Sequence, residues 1–178
     1  MATTGASAHS HDHDLDGDHG GLGRHDRPAN PMGAYVATAG AVVFTAATFM
    51  DWASTDGENS TSATGYEADT VIPLLAYLGL GFAVALLYAA KRARGRQHRG
   101  LSLTAMAAGL AAVGVALSYI FDVPGAFERG GDVSVEAGAF VGLIGAIIWS
   151  VGAGLLAKEP EGDDDWATER VTAAHTTH

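Results

Sequence analysis

An all-α fold, a four-helix transmembrane bundle between disordered cytoplasmic tails, is what the sequence predicts, and three observations predict it. The 178-residue chain is 48% hydrophobic but only 17% charged. Four stretches, residues 32–50, 70–90, 101–121 and 137–157, contain no Asp, Glu, Lys, Arg or His, so all 10 basic and 20 acidic residues lie between or beyond them. Each is about 20 residues long, which at about 1.5 Å per residue matches a hydrocarbon core of about 30 Å. A soluble helix would carry charge along its exposed face instead.

Residues 1–31 form a His/Asp-rich tail with too little apolar surface to offset the entropy of ordering it, so disorder is expected. This polar segment does not read as a secretory signal, which needs an apolar run near its start. The acidic tail 158–178 is expected to be disordered for the same reason. The first stretch ends at Met50, with Tyr35 near its start and Trp52 just past its end, both placed like interfacial anchors. The segment 51–69 has no Lys or Arg, five acids, and enough Gly, Asn and Ser to accommodate a short hairpin. Asp69 with Thr70 reads as the cap of the second stretch, and Ser134 with Glu136 as that of the fourth. Lys91, Arg92 and Lys158 suit the negative C-terminal ends of the second and fourth. Tyr88 is a further interfacial anchor, whereas Trp149 lies deep enough to pack on a neighbouring helix or lipid tails.

Orientation follows from the basic residues. Residues 91–100 hold five of the ten Lys and Arg, and segment 122–136 has only Arg129 against four acids. Basic residues of short loops resist translocation, so the 91–100 loop and both termini are expected in the cytoplasm of a plasma membrane. Nothing basic is large enough to track a phosphate backbone, which excludes nucleic acid. The chain has no cysteine, so no disulfide staples its loops.

The segment His9-Ser10-His11-Asp12-His13-Asp14-Leu15-Asp16-Gly17-Asp18-His19 offers imidazole and carboxylate ligands of the kind that hold Zn or Ni weakly on a flexible chain, with His9, His11, His13 and His19 as the candidate ligands. Its Asp12, Asp14, Asp16 and Gly17 imitate the start of a calcium loop, but Gly23 stands where the bidentate Glu is required. The sequon Asn59-Ser60-Thr61 acquires meaning only in a eukaryotic secretory route. Asp51 and Asp122 directly follow the two odd-numbered stretches in similar contexts and read as solvated boundary residues over the alternative of an organised site. Without an ionisable group inside the stretches, ion-coupled transport and acid–base chemistry in the bilayer lack their usual residues, and no enzyme is expected.

In the last stretch Gly138, Gly142, Ala146, Ser150 and Gly154 recur every fourth residue and form a stripe for close helix packing. Thr104, Ala108, Ala112 and Ala116 repeat the pattern in the third, so these two helices are expected to pair across it. The second stretch sets bulky Leu74, Leu78, Phe82 and Leu86 at that spacing.

Phe49-Met50-Asp51-Trp52, Gly65-Tyr66, the basic run from Lys91 through Arg99 and the Gly/Ala-rich run from Gly138 to Gly154 resemble the small, mostly uncharacterised four-span membrane proteins common in high-GC actinobacteria. The resemblance covers roughly residues 33–157 and excludes both tails. It implies a bacterial plasma membrane and a four-helix bundle, and supplies no activity or site residue. The function expected is therefore a non-enzymatic accessory or scaffold subunit, partnered by the lipid bilayer and by itself or a larger membrane complex, without a cofactor. The alternative is handling of a divalent transition metal, Zn or Ni, by the N-terminal tail.

Overall fold

The computed structural model describes residues 30–55, 60–92, 98–124 and 133–159. Helix α1 is Met32–Ala47, α3 Val71–Arg92, α4 Arg99–Phe121 and α5 Ala137–Ala157, with a single turn, α2, at Gly65–Ala68. Three short strands, β1 (Asp51–Thr55), β2 (Ser62–Thr64) and β3 (Val133–Val135), lie at one end. Apart from residues 30–31 and 158–159, both tails, with the expected disorder and the candidate ligands His9, His11, His13 and His19, fall outside the described residues.

Helices α3, α4 and α5 are long and apolar enough to cross a membrane. Helix α1 covers residues 32–47 of the expected stretch 32–50 and, with 16 residues, rises about 24 Å. Its end tightens into three-residue bonds, in which Thr48, Phe49 and Met50 donate their N–H groups to Thr45, Ala46 and Ala47. The apolar Phe49 and Met50 that prolong the run therefore sit in a turn, and Phe49 is 67% exposed. Hydrophobicity continues past the point where the helix stops because the turn stays apolar.

The core is built on close backbone approach between α1 and α5. A Cβ on Gly145 would sit 2.5 Å from the Phe44 nitrogen, one on Gly33 2.5 Å from the Leu156 nitrogen. Gly40 and Gly152 are closed in the same way by the backbones of Trp149 and Ala37. This seam recurs every seven residues, through Gly33 and Gly40 on one side and Gly145 and Gly152 on the other. A heptad drifts only slightly around a helix, whereas a four-residue stripe turns about 40° per step and about 160° over its length.

The expected stripe accordingly splits between neighbours. Gly138 and Gly142 face Trp52, Ser150 meets Gly109 of α4, and a Cβ on Gly154 would lie 3.2 Å from the Met106 sulfur. The α4–α5 pairing exists, but its buried α4 residues are Ser102, Ala105, Gly109, Ala112 and Ala116. Of the stripe expected on α4, Ala112 and Ala116 are buried while Thr104 is exposed and donates its hydroxyl to the Gly100 carbonyl at 2.9 Å. On α3, Leu86 is buried, whereas Leu74 and Leu78 are exposed on the flank of the bundle.

Candidate functional site

The strands form one antiparallel sheet in the order β2-β1-β3, joining segments that flank different helices. Strand β1 is the centre: Ala53 pairs with Ala63 on one side and Val135 on the other. A register shift between Asp51 and Ala53 leaves Trp52 outside the regular ladder, and a bulge of this kind turns a side chain out of the normal alternation. As a result both Trp52 and Ala53 face inward.

Trp52 is fully buried, correcting its expected role as an interfacial anchor. Its indole N–H donates to the Ala47 carbonyl at 2.8 Å. Phe44 and Tyr119 stand edge-on to it, with centroids at 6.3 and 5.4 Å, an arrangement aromatic quadrupoles favour. Room for the indole comes from three glycines: a Cβ on Gly138 would lie 2.5 Å from the ring, on Gly142 2.7 Å and on Gly65 3.0 Å. The Glu136 N–H donates to the Trp52 carbonyl at 3.0 Å, and Ser54 Oγ donates to Glu136 Oε1 at 2.5 Å. Glu136 is the N-cap residue of α5, but its carboxylate serves Ser54 instead of the helix end. Asp69, by contrast, accepts the Val71 N–H at 2.9 Å as its expected capping role requires.

Around the cap, Glu67 accepts both the N–H and the hydroxyl of Thr64 at 3.0 Å. Those bonds, the backbone one foremost, hold its carboxyl below the usual range. Tyr66 donates to the Tyr77 hydroxyl at 3.0 Å and packs on Phe49, with centroids at 5.1 Å. The bond to Tyr77 secures the Tyr66 proton and raises its pKa above the ordinary phenol value. Asp51 and Asp122 are exposed. The rim thus combines aromatic rings with exposed carboxylates, while most of its hydrogen bonds hold the cap together.

The opposite end contains a residue that sequence reasoning passed over as part of a basic loop. His98 is fully buried where α4 begins. Its Nε2 lies 3.1 Å from the Leu156 carbonyl in the last turn of α5, and its own carbonyl accepts the N–H and hydroxyl of Ser102 at 2.9 and 2.8 Å. Nδ1 has no hydrogen-bond partner among the described residues. The available signal was that His98 is the only histidine between residues 26 and 174. Of the two surroundings expected for Trp149, a neighbouring helix or lipid tails, the structure gives the first, with the indole against Phe44 and Gly79.

Among the described residues, no three His, Asp or Glu side chains are grouped to hold a metal ion. Apolar grooves open on the flanks of the bundle. One of about 350 Å³ lies along α3 beside Leu74, Leu78 and Phe82, and one of about 510 Å³ lies between α4 and α5. No protein-family model matches the chain, and no curated protein matches it.

Proposed function

We propose that the chain is a four-span plasma-membrane protein with both termini in the cytoplasm, working as a non-enzymatic accessory or scaffold subunit within the bilayer. The observation that carries this reading is the use of polar groups at the capped end. Ser54 with Glu136, Thr64 with Glu67 and Trp52 with Ala47 bond to one another and hold a fixed shape. A rigid end on an apolar bundle is suited to presenting a constant surface to a partner.

The geometry supports counting α1 as the fourth span despite its length. Gly33 lies against Leu156 and the Asp51 carbonyl against Gly138, so α1 with its closing turn runs beside nearly the whole of α5. The orientation rests on the basic residues of 91–100. Single cysteines at Gly57, Gly95 and Gly131, treated in intact cells with an impermeant thiol reagent, test it: labelling is expected at Gly57 and Gly131, and labelling of Gly95 alone would reverse the assignment.

Purification in mild detergent, with identification of co-purifying membrane proteins, tests the subunit reading. A chain lacking residues 1–31 is expected to retain its partner. The competing proposal, Zn or Ni handling through His9, His11, His13 and His19, draws on the alternating tail sequence and predicts that this deletion abolishes the cellular phenotype instead.

A further inference from the structure

The 510 Å³ groove between α4 and α5 is apolar along its length and ends at a cation. Leu103, Met106 and Leu110 form one wall, Val151 and Gly154 the other, and Lys158 lines its end. Gly154 gives the groove depth, because a side chain there would advance toward the Met106 sulfur. Ser150, which also lines it, donates its hydroxyl to the Ala146 carbonyl at 2.8 Å, so its proton is already engaged within the helix.

From Ser150 to Lys158 the groove runs about 12 Å along the axis, close to the roughly 15 Å hydrocarbon depth of one leaflet. The His98 to Leu156 contact brings the start of α4 beside the end of α5 at this level. Helix α3 ends in Lys91 and Arg92, and Arg99 opens α4. Glu159 follows Lys158, but its carboxylate accepts the Asn30 N–H at 3.3 Å, on the side where α1 begins.

We infer that this groove is a binding site for an anionic glycerophospholipid, with the headgroup phosphate at the Lys158 ammonium and one acyl chain laid between α4 and α5. Charge complementarity selects the headgroup, and the apolar walls accept the chain. The inference rests on α4 and α5 crossing a bilayer, as proposed above.

The full chain, purified in mild detergent, is offered phosphatidylglycerol or phosphatidylcholine in mixed micelles, and retained lipid is counted by native mass spectrometry. Wild type is expected to retain phosphatidylglycerol about fivefold over phosphatidylcholine, the contribution of about one basic residue near a leaflet surface. Lys158→Gln should erase the preference while lipid still binds, and Gly154→Leu should lower retention of both lipids. Arg94→Gln with Arg96→Gln should leave the preference in place. Equal retention by wild type, an unchanged preference in Lys158→Gln, or loss of preference through the arginine pair would overturn the site. If Gly154→Leu does not fold, Lys158→Gln still decides. Alkaline carbonate extraction separates the two levels: a chain that leaves the membrane fraction defeats the multi-pass reading, whereas one that stays without a lipid preference defeats the groove alone.

Discussion

The indole N–H of Trp52 donates to the carbonyl of Ala47 at 2.8 Å, so the strand that leaves α1 is fastened to the last turn of the helix it left. That carbonyl also accepts the Met50 N–H at 3.1 Å, so removing the indole still leaves it one partner. Trp52→Phe should therefore cost about 1 kcal/mol for the lost bond, with a further loss for the missing ring area. Trp52→Ala should cost about 3–5 kcal/mol. Thermal unfolding in detergent measures both, and equal stability of the two variants would remove the indole from the centre of the cap.

Glycines on the α1–α5 seam should be intolerant of any side chain. Gly145→Ala places a methyl group 2.5 Å from the Phe44 nitrogen and forces the helices apart, at a cost of about 3 kcal/mol. Gly81→Ala and Gly114→Ala meet nothing within 4 Å and should behave like wild type. Yield of monodisperse protein and thermal stability separate the two classes.

Gly142→Leu should act through Trp52, since the new side chain would strike the indole at 2.7 Å. Its destabilisation should then be smaller in a Trp52→Ala background, where that ring is gone. Additive losses in the double variant would place the effect elsewhere.

His98→Ala removes the bond to Leu156 and leaves space at the junction of α4 and α5, a loss of about 2–3 kcal/mol. His98→Gln offers an amide N–H near the position of Nε2 and should recover part of that stability. Equal losses in the two would show that packing, without the hydrogen bond, explains the histidine.

Acid should loosen the turn at Glu67. Its carboxyl is held below the usual range in the folded chain, so it contributes stability above its unfolded pKa and loses it as pH falls through the lowered folded value. Amide exchange at Thr64, followed across that acid range, should quicken as pH falls. In Glu67→Gln this pH dependence should disappear after correction for intrinsic exchange.

The helices α3, α4 and α5 were legible because charge is excluded from long uninterrupted runs, a property of the chain independent of its contacts. The end of α1 was not, because Phe49 and Met50 are as apolar as the helix before them. Trp52 at a span boundary has the composition of an interfacial residue. Its burial depends on Gly65, Gly138 and Gly142, which only the folded chain brings together. The small residues of α5 were recognised, but a four-residue rule followed one stripe around the helix and missed Gly145, which belongs to the heptad that holds α1. His98 was concealed by its basic neighbours, whose topological signal gives no information about which side chain turns inward.

The sheet also imposes an order on assembly. Strand β1 cannot complete its pairing until residues 133–135 exist, and Ser54 waits for a carboxylate 82 residues later in the chain. A nascent chain that has made α1 and β1 alone therefore holds an unsatisfied strand edge and an indole without the glycines of α5 to receive it. Closing such a distant pair is slow compared with local helix formation. The sheet consequently distinguishes a finished bundle from a truncated one: release of α5 exposes backbone hydrogen-bonding groups and an aromatic ring together.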